Sequence, residues 1–125
     1  MTIYRQHDET EVSEIYGMNC KKILAIPSEL KDVGHAFYFY IESIWLRVFI
    51  NAELLFVDEC DGPDPEDDLD GDEQYIDYSS ELTNTNANIK SARMKDDMFT
   101  IIFSEGLVIT LSGTDGGTLI RVLHR

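Results

Sequence analysis

The sequence predicts an α+β domain dominated by antiparallel sheet, and three observations carry that expectation. Over residues 98–112 apolar and polar residues alternate with period 2, the mark of strands half exposed to water. Residues 36–50 (AFYFYIESIWLRVFI) are aromatic and β-branched almost throughout, the composition of strands. Residues 9–16 place Val12, Ile15 and Tyr16 on one helical face behind acidic residues suited to a helix N-terminus, and residues 75–82 form a second short helical candidate.

Taken in order, residues 22–26 read as a short strand ended by Pro27. Residues 36–50 favour two strands with a turn near Glu42-Ser43, an amphipathic helix over 41–50 being the alternative. Laid without gaps, residues 45–60 (WLRVFINAELLFVDEC) match residues 98–113 (MFTIIFSEGLVITLSG) with eight of sixteen columns apolar in both. Each copy is two apolar runs around a polar turn, Asn51-Ala52-Glu53 or Ser104-Glu105-Gly106, and so predicts two similar hairpin units. Residues 89–94 add a strand before the second hairpin, with Lys95-Asp96-Asp97 as the turn. Residues 118–123 follow it across the glycine-rich stretch 113–117.

At 125 residues the chain is expected to be a single domain, 1–125, with sub-portions 1–57 and 78–125 joined by an acidic loop at 58–77. That loop concentrates Asp58, Glu59, Asp61, Asp64, Glu66, Asp67, Asp68, Asp70, Asp72, Glu73 and Asp77 among Gly62, Pro63, Pro65 and Gly71. Twenty-four acidic residues against ten basic ones give a net charge of -14, which disfavours nucleic acid and acidic membrane surfaces and favours a cationic protein partner. Two cysteines, Cys20 and Cys60, are too few for a disulfide scaffold, and the N-terminal residues lack the apolar core of a signal peptide, so a cytoplasmic protein with reduced thiols is expected.

Candidate chemistry is sparse. From Glu66, carboxylates at Asp68, Asp70, Asp72 and Asp77 with Gly71 at the sixth position partly match a calcium loop, but the first and last ligands and Glu73 depart from it, so no metal site is assigned. His7, His35 and His124 sit in no nucleophile signature with either cysteine, and 113–117 (GTDGG) lacks the Lys-Ser or Lys-Thr of a phosphate loop. No catalytic residue and no cofactor is therefore expected. Tyr38, Tyr40 and Trp45, without interleaved basic residues, suit core packing with one or two rings left for a protein partner.

In size, acidity and β-rich style the chain resembles the immunity proteins of bacterial contact-dependent inhibition and polymorphic toxin systems. The resemblance rests on no motif and transfers no residue role. It implies a non-enzymatic inhibitor, monomeric or homodimeric, that occupies a cationic, nuclease-like toxin domain through the carboxylates of 58–77 and the rings of Tyr38, Tyr40 and Trp45. The alternatives are an acidic nucleic-acid mimic that blocks a DNA-binding protein, and a non-enzymatic adaptor or homodimeric domain.

Overall fold

The computed structural model describes residues 3–6, 10–51, 54–63, 75–82 and 87–124. Their strands are β1 (Tyr4–Gln6), β2 (Thr10–Glu11), β3 (Cys20–Pro27), β4 (Val33–Ile41), β5 (Ile44–Asn51), β6 (Leu54–Cys60), β7 (Ile76–Asp77), β8 (Ile89–Lys95), β9 (Met98–Phe103), β10 (Leu107–Thr114) and β11 (Gly117–His124). All pair antiparallel, in the order β1-β6-β5-β4-β11-β10-β9-β8-β2, while β3 lies along the other edge of β4 and carries β7. The sheet curls into a half-barrel. The Asn19–Asn88 bridge and the bond from the Ile89 N–H to the Met18 carbonyl tie the lead-in of β3 to that of β8.

The α+β expectation is corrected: 68% of the described residues are strand, and the helical residues among them are single 3-10 turns, Ser13–Ile15 and Ser79–Leu82. Both helical candidates lose their backbone groups to the sheet. Thr10 and Glu11 pair with Met94 and Arg93, and the Val12 N–H donates to the Ala92 carbonyl, so Val12 and Ile15 reach the core from an edge strand. Ile76 and Asp77 pair with Ala25 and Leu24, and the Asp77 carboxylate then accepts the Ser79 N–H at 2.7 Å to open the 3-10 turn. Segments this short gain too little from helix propagation to compete with such pairing. The limits of the acidic loop also move, since Asp58, Glu59 and Cys60 belong to β6 and Asp77 to β7.

Residues 36–50 form two strands, with Glu42-Ser43 as the turn. Glu42 takes a φ of 54°, and its strain is offset by a reciprocal pair: its carboxylate accepts the Asn19 N–H at 2.9 Å while its own N–H donates to the Asn19 carbonyl at 3.0 Å. Residues 45–60 and 98–113 each contain a hairpin, but the gapless alignment fails at the turn. β5 and β6 close with two residues between Asn51 and Leu54, whereas β9 and β10 close with three. Leu46 and Val48 therefore correspond to Phe99 and Ile101, but Leu55 and Val57 correspond to Leu107 and Ile109, one step out of the sequence register. A one-residue slip exchanges the faces of a strand, so the shared Leu54 and Leu107 point to opposite sides.

Inward residues of both meanders fill one core around Phe37, Phe39, Phe99 and Phe103, all fully buried, and each such ring stabilises the fold by about 2–3 kcal/mol. The meanders join where β11 crosses the start of β4. Thr118 and Leu119 pair with Gly34 and Val33, while β5 occupies the same edge of β4 farther along. The approach is close enough to require glycine on β11, since a Cβ on Gly117, whose φ is 149°, would lie 2.6 Å from the Gly34 carbonyl oxygen; Gly34 is itself hemmed in from β3, where its Cβ would lie 2.8 Å from the Ile26 carbonyl oxygen. The buried Thr118 hydroxyl accepts the Ile50 N–H at 3.2 Å and so stitches β5 to β11 across the junction.

Candidate functional site

Alternation that sends Phe37, Phe39, Leu46, Val48, Leu55 and Val57 inward leaves a row-by-row set on the outer face of β4, β5, β6 and β1. One row is Tyr40, Trp45 and Cys60; the next is Tyr38, Arg47, Asp58 and Tyr4; the third holds Phe49 and Phe56. The Tyr40 and Trp45 rings stack at 4.7 Å, and Phe49 and Phe56 stack at 5.0 Å with only 10° between planes. Between these pairs Arg47 donates to both carboxylate oxygens of Asp58, at 3.3 and 3.0 Å, while its guanidinium lies 5.0 Å from the Phe49 ring centre. Hydrogen bonding to Asp58 raises the Arg47 pKa further above its ordinary value, so this cation is permanent.

The acidic segment begins and ends on this face. At its start Gly62, at φ 118°, packs on the Trp45 indole so closely that a Cβ would lie 3.2 Å from Nε1. At its end Tyr75 meets Tyr38 edge-on, with centres 6.2 Å apart. Residues 64–74 join these anchors, so Asp64, Glu66, Asp67, Asp68, Asp70, Asp72 and Glu73 lie outside the described residues, as does most of the partial calcium spacing. Asp77, its last member, is engaged in capping Ser79.

The other sequence candidates divide between the two faces. Tyr40 and Trp45 are half-buried on the outer face, and Asp61 is exposed just beyond β6. Tyr38 is only 3% exposed beneath Tyr75, which makes it a support for the face rather than a contact ring. Glu59 points to the side opposite Asp58, and its N–H donates to the Ile3 carbonyl at 2.7 Å. The sequence reading missed Arg47, Phe49, Phe56 and Tyr4. The signal for the first three was present, because they alternate with core residues in the predicted hairpin; Tyr4, 55% exposed, becomes visible only through the pairing of β1 with β6.

Chemistry of other kinds finds little support among the described residues. Cys20 is buried and its thiol is pushed up to about 12 by desolvation, far from a nucleophile's range; burial also raises Cys60, with the Gly62 carbonyl 3.9 Å from its Sγ. His124 lies 3.4 Å from Glu81, and exposed His35 borders an open groove with Pro27, Ser28, Leu30 and Gly116. No group of three or more His, Cys, Asp or Glu among the described residues is placed to hold a metal ion, and none of their helices is long and apolar enough to cross a membrane. The glycine-rich stretch 113–117 is the β10–β11 turn, with Thr114 paired to Gly117. Compared with protein-family profiles, curated proteins and solved structures, the chain matches none.

Proposed function

We propose that this protein is a cytoplasmic immunity protein that binds and neutralises a cognate cationic, nuclease-like bacterial toxin domain, acting by occupancy rather than catalysis. The observation that supports it best is the anchoring of the acidic segment at both ends on a face of stacked aromatic rings. Such a pairing divides the work of binding. Carboxylates steer a cationic partner and raise the association rate, while packed rings and a bidentate Arg–Asp pair provide a desolvated centre that slows release. A nuclease surface that holds phosphates is complementary to both.

The face is small for the task. Four strands about 4.8 Å apart and rows spanning some 14 Å along the chain cover roughly 200 Å², against about 800 Å² per partner in a standard interface. The acidic segment must therefore supply much of the contact as well as the steering.

The test is to identify the genes that flank its own and to co-express the protein with any toxin-like domain encoded there. Restored growth, a 1:1 complex and no inhibition of unrelated DNA-binding proteins support the reading. A chain that blocks several unrelated DNA-binding proteins is instead a nucleic-acid mimic, and failure to bind the neighbouring gene product rejects the immunity reading.

A further inference from the structure

The chain contains the Asp-Gly steps Asp61-Gly62, Asp70-Gly71 and Asp115-Gly116. At such a step the glycine nitrogen can attack the aspartate's own side-chain carboxyl carbon, because no Cβ crowds the closing five-membered ring. Attack requires rotation about the aspartate's Cα–C bond, so the tether on the local backbone governs how often the reacting atoms meet. The two steps within the described residues differ in that tether. Asp115-Gly116 is the whole of the β10–β11 turn, closed on both sides by the Thr114–Gly117 pair and the ladder behind it, and rotation there opens the hairpin. Asp61-Gly62 instead follows Cys60, the last residue of β6, and among the described residues strand pairing resumes only at Ile76. Asp61 is exposed, and Gly62, at φ 118°, is held by packing on the Trp45 indole rather than by a ladder.

We propose that Asp61 is a site of spontaneous isomerisation to isoaspartate, and that the product releases Gly62 from Trp45. The Gly62 nitrogen bonds to Asp61 Cγ, and its proton leaves with the carboxyl OH as water. Water then adds back at one of the two ring carbonyls. Breaking the bond from nitrogen to Cγ restores aspartate; breaking the bond from nitrogen to the main-chain carbon routes the backbone through Cβ and leaves that carbon as the new carboxylate. The net charge is unchanged and water is the single co-reactant. The isoaspartate backbone is longer by one carbon–carbon bond, about 1.5 Å. At Gly62 even an added Cβ would lie 3.2 Å from the indole Nε1, so a displacement of that size unseats the glycine from the ring. The first anchor of the acidic segment is lost with it, whatever partner the aromatic face takes.

The experiment is prolonged incubation of the folded protein in neutral buffer, with isoaspartate located by peptide mapping and by methylation with protein isoaspartyl methyltransferase. Trp45, the single tryptophan, reports the anchor by its fluorescence. Isoaspartate is expected to accumulate about tenfold faster at Asp61 than at Asp115, and the two rates to converge in urea, where neither tether survives. Trp45 emission moves to longer wavelength in proportion to the isoaspartate at position 61. Asp61→Glu keeps the charge but would need a six-membered ring, so it forms no such product there and holds its emission on ageing; the side chain is exposed, and the fold is retained. Asp115→Glu changes neither readout. Equal folded-state rates at the two steps, a difference that persists in urea, or an emission shift in aged Asp61→Glu would overturn the proposal.

Discussion

Thr118 makes the junction between the meanders open to a direct energetic test. It is fully buried, and its hydroxyl accepts the Ile50 N–H at 3.2 Å where β5 has passed the end of its pairing with β4. Thr118→Val keeps the shape and removes the acceptor. Leaving that amide unpaired costs about 1–3 kcal/mol, and Val returns part of this through β preference and relief of the buried hydroxyl, so a net loss of about 1–2 kcal/mol is expected. For a domain of this length that lowers the melting temperature by about 3–10 °C. Urea unfolding followed by Trp45 fluorescence measures the loss, and hydrogen exchange at the Ile50 amide locates it. Thr118→Ser is the matched control: it forfeits a methyl contact but retains the acceptor, so its Ile50 amide stays protected. A Val variant as stable as the parent, with Ile50 equally protected, would refute the stitching role of this hydroxyl.

Three further outcomes follow from the same geometry. Gly117→Ala, with its Cβ 2.6 Å from the Gly34 carbonyl, should cost about 3 kcal/mol or more, whereas Gly17→Ala, also at positive φ but with no atom within 4 Å, should cost about 1 kcal/mol by thermal unfolding. Burial opposes ionisation of Glu14, but a hydrogen bond from its own backbone and the donation of Arg5 Nη2 to both carboxylate oxygens, at 2.7 and 2.6 Å, outweigh it and hold the carboxyl below its ordinary range. A depressed folded-state pKa gives stability that is present above the unfolded value and lost as pH falls through the folded one. Glu14→Gln should therefore cost about 1 kcal/mol at pH 7 and progressively less below pH 4.5, as read by urea midpoints across pH. In the folded protein a thiol reagent should modify half-buried Cys60 well before Cys20, and both in urea; equal folded-state rates would contradict the burial of Cys20.

Strand positions were legible where one face alone is wet. Phe99, Ile101, Phe103, Leu107, Ile109 and Leu111 recur at every second position of the two runs, so the β9–β10 hairpin could be read directly, and the two-strand reading of 36–50 followed from its β-branched and aromatic residues. The helical candidates misled because Val12 and Ile15 have helical spacing yet reach the core from an edge strand and a 3-10 turn, an outcome set by pairing with β8, more than eighty residues away. The register of the two hairpins was likewise hidden, since apolar counts do not distinguish a two-residue turn from a three-residue one. For the candidate face, composition pointed to Tyr40 and Trp45 but not to the covering of Tyr38 by Tyr75 or to the arrival of Tyr4 on β1, which depend on contacts distant in sequence.

The proposal that carboxylates steer and the aromatic face anchors is tested most directly by association and dissociation rates with whichever toxin domain the co-expression test identifies, measured by stopped flow across ionic strength. Charge reversal of Asp64, Glu66, Asp67 and Asp68 together should slow association and flatten its salt dependence while leaving dissociation nearly unchanged. Trp45→Ala should leave association nearly unchanged and speed dissociation about thirtyfold, the effect of losing about 2 kcal/mol at a central ring. Association rates indifferent to the four reversals, with dissociation indifferent to Trp45, would contradict the account and move the interface off this face.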